Sequence, residues 1–322
     1  MEQWINNLAN LIWSDALVYL ALGVGLYFTV ITRGVQFRYL AEMVRLLRES
    51  KASSAGVSSF QAFCMSLSGR VGVGNIAGVA TAIAAGGPGA VFWMNIMALL
   101  GGASAFVEST LAQVYKEKVG NQYRGGGPWY IEHGLKLKPF AIFVALVVCL
   151  SYGVLVPGVQ ANTIANSFHE AFGLAPPVSA LIILLPLALI IFGGVKRIAN
   201  VADIIVPFMA IAYLAMMCII LAANISVVPE MLMLILRSAF GTDAVFGGLV
   251  GYAVSWGVRR AVFSNVAGAG EGTYSSAAAE VSHPAKQGLV QAFSVYIDTV
   301  LVCSATALMI LSTQMGSVAQ RN

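Results

Sequence analysis

The chain has 322 residues, of which 58% are hydrophobic and only 10% are charged, whereas about 25% of residues are charged in ordinary soluble domains. So few charged groups cannot cover a soluble surface, and the apolar residues fall into blocks of about 20 that can cross a bilayer. The composition excludes a soluble domain and indicates an all-α, polytopic integral membrane protein in contact with lipid. The formal net charge of +4 does not indicate a nucleic-acid partner, because the basic residues are sorted into particular loops.

Eight membrane spans are predicted along the chain, and the seventh of them is interrupted. They are residues 13–32, 58–86, 89–115, 139–160, 177–195, 202–223, 244–282 and 287–312. Lysine and arginine cluster in the connecting segments 33–57 and 116–138, which the positive-inside rule assigns to the cytoplasm. Both ends of the chain are therefore expected on the non-cytoplasmic side of the plasma membrane. Residues 37–49 predict an amphipathic helix, either on the cytoplasmic membrane surface or as a solvated linker.

A glycine-rich stretch, RVGVGNIAGVA at 70–80, lies inside the second predicted span. Its G-x-G-x-x-A pattern is typical of dinucleotide binding only between a strand and a helix, with an acidic residue about 20 positions later. Neither condition is met, since the next carboxylate is the distant Glu108. The glycines instead predict a broken transmembrane helix whose backbone can approach a ligand. Close helix packing through Gly74 and Gly78 is the alternative.

A second copy of this stretch favours ligand binding over packing. RAVFSNVAGAG at 260–270 has its arginine, asparagine and a shared glycine in the same places, at an offset of 190 residues. The same offset aligns FVES at 106–109 with YIDT at 296–299. An odd number of spans separates the copies, so we expect them to cross the membrane in opposite directions. Inverted repeats with interrupted helices at matching positions are typical of the central site of a secondary transporter.

Several stretches together resemble the alanine/glycine:cation symporter family. They are SLSGRVGVGNIAGVATAIAAGGPGAVFWM (66–94), YRGGGPWYIEHGL (123–135), VQANTIA (159–165), and FSNVAGAG followed by AEVSHPAKQGLVQAFSVYIDT within 263–299. The resemblance implies symport of a small neutral amino acid, alanine or glycine first, with Na⁺ as the coupling ion, H⁺ as the alternative, and no cofactor. It also implies a leucine-transporter-type fold of two inverted five-helix repeats.

The resemblance divides a single transporter domain, residues 1–322, into parts. Residues 13–57 become an extra N-terminal helix and a cytoplasmic surface helix, and 58–223 become the first repeat. Residues 244–312 supply only the first two helices of the second repeat. We therefore expect a C-terminally truncated carrier, and a non-transporting fragment is one alternative function. A channel is another, although a channel does not need two broken helices of opposite direction.

An enzyme is not expected, because the sequence offers no nucleophile–base arrangement and no metal-ligand spacing. The chain also departs from the family pattern near the second break. The family usually has a glutamate where this chain has Val266, and Glu271 appears five residues later. The role of Glu271, the ion stoichiometry, the identity of the amino acid and the oligomeric state are left open by the sequence.

The substrate is expected between the two breaks. Backbone N–H groups at the start of a half-helix suit its carboxylate, and carbonyl and amide oxygens suit its ammonium group. The predicted substrate-binding residues are Gly74, Asn75, Gly78, Gln160, Ser264, Asn265 and Gly268. An interfacial position at the end of the fourth span is an equal alternative for Gln160.

By the same resemblance, the coupling Na⁺ is expected near the first break, on oxygens of Ser68, Val71 and Asn75. Charged residues at membrane depth must be paired or hydrated. The sequence places four such residues at matching positions of the two copies: Arg70, Glu108, Arg260 and Asp298. We expect structural pairing of Arg70 with Glu108 and of Arg260 with Asp298, with a role as coupling charges as the alternative.

Overall fold

The computed structural model describes residues 2–49, 55–120, 122–241 and 247–319, and these are almost entirely helical. The α-helices are α1 (Glu2–Ile12), α2 (Asp15–Ile31), α3 (Val35–Arg38), α4 (Leu40–Leu47), α5 (Ser59–Arg70), α6 (Val79–Gly86), α7 (Gly89–Val114), α8 (Gly127–Leu135), α9 (Lys138–Leu150), α10 (Val156–Phe172), α11 (Pro176–Ile191), α12 (Gly194–Ala223), α13 (Val228–Phe240), α14 (Gly247–Asn265), α15 (Gly272–Ala278), α16 (Pro284–Val295) and α17 (Ser304–Ala319). Shorter turns of π or 3₁₀ helix occupy Gly74–Gly78, Ser151–Leu155, Ile225–Val227 and Tyr296–Cys303.

Four helices in the described part of the chain are long and apolar enough to cross a membrane: Gly89–Val114, Lys138–Phe172, Gly194–Ala223 and Pro284–Thr313. Shorter apolar helices cover Asp15–Ile31, Gly74–Gly86 and Pro176–Ile191. This agrees with the predicted all-α membrane protein. Residues 244–246 of the seventh predicted span, and residues 50–54 of the first basic segment, lie outside the described residues.

The fourth span is longer than predicted. The predicted span ends at residue 160, but α9 and α10 continue as one helix from Lys138 to Phe172, with Pro157 inside it. A proline inside a helix removes one hydrogen bond and crowds the carbonyl four residues earlier. Here the π-helical turn Ser151–Leu155 lies directly before it, and a π turn is one of the recognised ways to accommodate such a disturbance.

Two helices are interrupted where the glycine pattern predicts. In the first, α5 ends at Arg70, and residues 71–73 lead into the π-helical turn Gly74–Gly78 and then α6. In the second, residues 266–271 separate α14 from α15. Val266, Gly268 and Gly270 have φ angles of 44°, 84° and 85°. These left-handed conformations cannot continue a right-handed helix, and two of the three fall on glycine, which has no Cβ to oppose them.

The two interrupted segments run antiparallel where they pack together. The hydroxyls of Ser66 and Ser275 are hydrogen-bonded near one end. A β-carbon added at Gly74 would lie 3.1 Å from the Cα of Ser264, and one added at Gly86 would lie 2.9 Å from the Cβ of Trp256. As the residue number rises along the first segment it falls along the second, so the two copies of the pattern have opposite directions.

The centre of the bundle is formed by α7 and the continuous helix Pro284–Thr313. In the apolar windows of these two helices 56% and 61% of residues are buried, against 6% for Lys138–Phe172 and for Gly194–Ala223. The central pair packs closely through small residues, since a β-carbon added at Gly102 would lie 3.0 Å from the hydroxyl of Tyr296. The segments FVES (106–109) and YIDT (296–299) therefore lie on the two most buried of the four long apolar helices.

Several elements were not predicted. Strands β1 (Glu117–Val119) and β2 (Gln122–Arg124) pair as an antiparallel hairpin before α8. Helix α13 has 13 residues and is too short to span a bilayer. It packs against α7, where Trp93 donates its indole N–H to the carbonyl of Ala239 in α13 at 3.2 Å. The predicted surface helix at 37–49 is split into α3 and α4, and Met43 and Leu46 of α4 are buried against α5 and α16.

Candidate functional site

The first break is opened by two side-chain amides. Asn75 Oδ1 accepts the N–H of Gly72 at 2.7 Å, and Gln160 Oε1 accepts the N–H of Val73 at 3.1 Å. In a continuous helix these two N–H groups would donate to carbonyls four residues earlier, which are those of Ser68 and Gly69. The amides therefore satisfy the backbone N–H groups of the break and release two carbonyl oxygens.

Gln160 lies inside a long helix and not at its end. It belongs to the continuous helix Lys138–Phe172 and reaches the first break directly. A β-carbon at Gly72 would lie 2.9 Å from Gln160 Nε2, so glycine at this position gives the amide its room. The interfacial alternative for Gln160 assumed a span that ends at residue 160, whereas this helix continues to Phe172.

The second break is built on the same principle. Asn265 Oδ1 accepts the N–H of Ala267 at 3.0 Å, just as Asn75 accepts a backbone N–H in the first break. The carbonyl of Asn265 accepts from Nε of Arg70 at 2.7 Å. Two asparagines at matching positions therefore each hold open the turn in which they lie.

Asp298 ties the first break to the central helix. Its side chain is fully buried, and Oδ1 accepts from Asn75 Nδ2 at 2.6 Å. Oδ2 accepts from Thr299 Oγ1 at 2.7 Å and from Ser264 Oγ at 3.1 Å. In the described part of the chain no Lys or Arg nitrogen lies within 4 Å of this carboxylate. A buried carboxylate surrounded only by neutral donors is costly unless a cation or a proton joins it.

Glu108 ties the second break to α7 in a corresponding way. Its Oε2 accepts the N–H of Gly270 at 3.1 Å, while Oε1 is buried and has no hydrogen-bond partner in the part of the chain that the structure describes. The acidic residue of each copy thus binds the break of the other copy. The two sites differ in one respect, since both oxygens of Asp298 are satisfied and one oxygen of Glu108 is not.

The predicted charge pairs are not formed as direct ion pairs in the described part of the chain, although Arg70 lies within electrostatic reach of Glu108. Among the described residues no ion pair within 4 Å joins Arg70 to Glu108 or Arg260 to Asp298. Arg70 instead donates to the Asn265 carbonyl and to the Ser294 hydroxyl, because the break supplies a free carbonyl beside it. Arg260 lies 5.2 Å from the centre of the Trp256 ring in a cation–π contact. The alternative role of these charges in ion coupling is not affected by this result.

The remaining predicted residues have different surroundings. Gly74 is packed directly against Ser264. Gly78 is buried, yet a β-carbon added there would meet no atom within 4 Å, so free space lies beside it. The φ of 84° at Gly268 forms part of the second break. Ser68 is exposed and donates its hydroxyl to the Met65 carbonyl at 2.7 Å. Its own carbonyl and Val71 lie at the first break.

Of the polar stripe on the central helix, the sequence interpretation named only Asp298 and missed the three residues before it. The residues are spaced three and four positions apart and are fully buried: Gln287, Gln291, Ser294 and Asp298. Gln291 and Ser294 surround the guanidinium of Arg70, and Thr299 and Cys303 join the Asp298 cluster. The helical spacing of polar residues within an apolar span was the available signal, since polar groups in a span must face protein or water.

A family model described as the sodium:alanine symporter family matches residues 1–322. YrbD of Bacillus subtilis (strain 168) has the provisional name of a sodium/proton-dependent alanine carrier protein. It is 56% identical to this chain over 315 residues, which cover 98% of this chain and 65% of YrbD. The sodium/proton-dependent alanine carrier protein of Bacillus sp. (strain PS3) is 53% identical over 276 residues, covering 86% of this chain and 62% of that protein. GlnT of Bacillus subtilis (strain 168), provisionally a sodium/glutamine symporter, is 47% identical over 313 residues, covering 97% of this chain and 66% of GlnT.

The match to the family model runs from residue 1 to residue 322, which gives no support to the predicted truncation. The chain spans between 62% and 66% of the length of these three relatives.

Proposed function

The chain belongs to the sodium:alanine symporter family, a family of secondary transporters and not of enzymes, and from this premise we propose that it takes part in Na⁺-coupled symport of a small neutral amino acid by alternating access. The observation that carries the proposal is the meeting of two interrupted helices, each held open by an asparagine, at one buried centre. A membrane protein leaves backbone groups unpaired at this depth only where they line a cavity or are buried in protein.

The proposed substrate is alanine, with glycine and glutamine as the competing candidates. Two of the relatives are named as alanine carriers and one as a glutamine symporter. Gly78 has free space beside it, whereas Gly74 is in tight contact with Ser264. A short side chain beside Gly78 is compatible with this arrangement, and a long one requires the two breaks to move apart.

In this proposal the backbone around Gly74, Asn75 and Gly78 binds the substrate carboxylate. The positive end of the α6 helix dipole lies at this point and attracts a negative charge. The ammonium group is bound by oxygens of Ser264, Asn265 and Gln160, with Gly268 giving the second break its shape. All of these groups lie on the elements joined by the amide contacts of the two breaks.

The proposed coupling cation is Na⁺ near Asp298. A buried carboxylate beside the hydroxyls of Ser264 and Thr299 provides oxygen ligands of the kind that a hard cation prefers, while Asn75 contacts this carboxylate through its amide nitrogen. The carbonyl of Ser68, released by the first break, and that of Val71 are candidates for a second position. Because Asn75 and Ser264 belong to the two breaks, a cation here would link ion binding to the geometry of the substrate site.

Alternating access follows if the two copies are inverted repeats, with residues 58–223 as the first repeat and 244–312 as part of the second. The antiparallel packing of the broken segments and the reciprocal contacts of Asp298 and Glu108 support this arrangement. The distribution of lysine and arginine supports placing the loops 33–57 and 116–138 in the cytoplasm and both chain ends outside it.

The test is uptake of radiolabelled alanine by the protein in liposomes, with imposed Na⁺ or H⁺ gradients. We expect saturable uptake that depends on an inward gradient and is competed by unlabelled alanine. Uptake that continues unchanged after both gradients are collapsed would contradict symport, and uptake without saturation would indicate a channel. The absence of any uptake, with a folded protein and correct insertion, would favour the non-transporting alternative.

A further inference from the structure

Two buried polar atoms of opposite character lie at the second break without a hydrogen-bond partner among the described residues. They are Glu108 Oε1 and Arg70 Nη2, on side chains of residues that are 6% and 2% exposed. Glu108 binds the N–H of Gly270, and a β-carbon at Gly272 would lie 2.8 Å from Arg70 Nη2. The two side chains therefore contact the same short segment of backbone, residues 270–272. Leaving buried groups of this kind unsatisfied is costly, so their retention requires a reason.

A third charge completes this group. The carboxylate of Glu271 lies directly against Gly69, the neighbour of Arg70, and leaves no room there for a β-carbon. With both glutamates ionised and Arg70 positive, the cluster carries a net charge of −1. One proton on a carboxyl group brings it to zero. A buried cluster is stabilised by that neutralisation, because an uncompensated charge in low dielectric is expensive.

We infer that Glu108 takes up and releases a proton during transport, so that H⁺ moves together with the amino acid; this inference rests on the proposed symport function. The proton binds at Glu108 Oε1, the oxygen that the Gly270 N–H leaves free, and it leaves from the same atom to water. No other bond is made or broken. Glu271 is half-buried beside the exposed Gly69, so it provides the polar path between Glu108 and the outside of the cluster.

The surroundings of Glu108 fit a proton better than a metal ion. The groups that face it are the cationic Arg70 and the N–H of Gly270, and both repel a sodium ion. A sodium ion also needs several oxygen ligands, whereas a proton needs one. The titratable and charged groups within electrostatic reach of Glu108 are Arg70 of α5, Tyr130 of α8, Tyr152 of the π turn in the fourth span and Glu271 of the second break. Tyr274 of α15 lies within electrostatic reach of Tyr130 and Tyr152.

Protonation would also change the second break. Ionised Glu108 holds the Gly270 N–H through a charge-assisted hydrogen bond, which is about twice as strong as a neutral one. Neutral Glu108 holds it less firmly. Since Gly270 has φ of 85° and space around its Cα, the turn is free to move when the bond weakens. Proton binding is thereby linked to the geometry of the half-helix α15.

The test is the number of protons moved per alanine, measured in liposomes that contain a pH-sensitive dye and are given an inward Na⁺ gradient. Adding alanine to wild-type liposomes should acidify their interior in proportion to uptake. In Glu108→Gln the ratio of protons to alanine should fall to near zero, whatever the rate of uptake. Glu108→Asp keeps a titratable group, and it should restore acidification with a shifted pH dependence.

The matched control is Ser109→Ala. Ser109 is the next residue along α7, is also buried, and also has an unpartnered side-chain oxygen, but it carries no charge. Its removal should leave the ratio of protons to alanine at the wild-type value. Na⁺-driven uptake by the wild type without any acidification would overturn this inference and leave the symport proposal intact. Acidification that persists in Glu108→Gln would also overturn it, whereas absence of uptake in the wild type would count against symport itself.

Discussion

Gly74 and Ser264 bring the backbones of the two broken helices into contact, because a β-carbon added at Gly74 would lie 3.1 Å from the Cα of Ser264. These two residues are 190 positions apart, the same offset that relates the two copies of the sequence pattern. Contact between equivalent positions is expected when two copies are related by a twofold axis. Four further predictions follow from this centre and its surroundings.

The first prediction concerns the two glycines of the first break. Gly74→Ala should destabilise the protein by about 1–3 kcal/mol, because the new methyl group meets backbone that cannot easily move. Gly78→Ala is the control, and it should change stability by less than about 1 kcal/mol because free space surrounds that position. Gly78→Leu should keep the fold but weaken alanine binding. Thermal unfolding in detergent and alanine titration measure both effects, and equal melting of the two alanine variants would contradict the packing argument.

The second prediction concerns Asp298. Asp298→Asn preserves the shape of the side chain but removes its charge, so the Na⁺ concentration for half-maximal alanine binding should rise by about tenfold or more. Interactions with a charged group are worth about 1.5–3 kcal/mol, and about 1.4 kcal/mol corresponds to tenfold. Asp203→Asn is the control, since Asp203 contacts Gln61 at 3.1 Å and lies apart from the breaks. An unchanged Na⁺ dependence in Asp298→Asn would place the cation elsewhere.

The third prediction concerns Gln160. Gln160→Ala removes the acceptor of the Val73 N–H, so the first break should lose its shape and alanine affinity should fall by about tenfold, since an unsatisfied group costs about 1–3 kcal/mol. Gln160→Glu keeps an acceptor oxygen and should retain more affinity. Asn162→Ala, which changes an exposed residue of the same helix, should have no effect. If the Gln160→Ala and Asn162→Ala proteins bind alanine equally well, Gln160 does not support the break.

The fourth prediction is a dependence of stability on pH that comes from Lys116, between α7 and the hairpin. Burial lowers the pKa of Lys116 to about 8 from 10.5, while its ammonium donates to Gln113 Oε1 and the Ala279 carbonyl. At pH values between these two pKa values, Lys116 is therefore protonated to a greater extent in the unfolded chain than in the folded protein. Stability should rise with pH across that window. In Lys116→Met this contribution should vanish, so the difference in melting temperature between variant and wild type should change between pH 8 and pH 10.5. A constant difference would contradict the buried position of Lys116.

Local chemistry made several features predictable from the sequence. Long apolar blocks predict membrane helices, because the bilayer leaves backbone groups no other partners. The glycines at 69–78 are compatible with close packing or with a break, and the second copy near 265–270 favours a break, because glycine weakens a helix. The interruption of both helices and their opposite directions follow from this repeat, as does the position of Asp298 at membrane depth.

Which groups meet at the breaks depends on how the helices pack against each other. Asn75 and Asp298 are 223 positions apart, and Gln160 reaches Val73 across 87. Arg70 makes no direct ion pair with Glu108 among the described residues and donates instead to the carbonyl of Asn265 at the second break. Periodicity fixes which face of a helix is polar, but it does not fix how far one helix is shifted along another. A shift of one residue moves a side chain by about 1.5 Å along the axis and 100° around it, which is enough to exchange one hydrogen-bond partner for another.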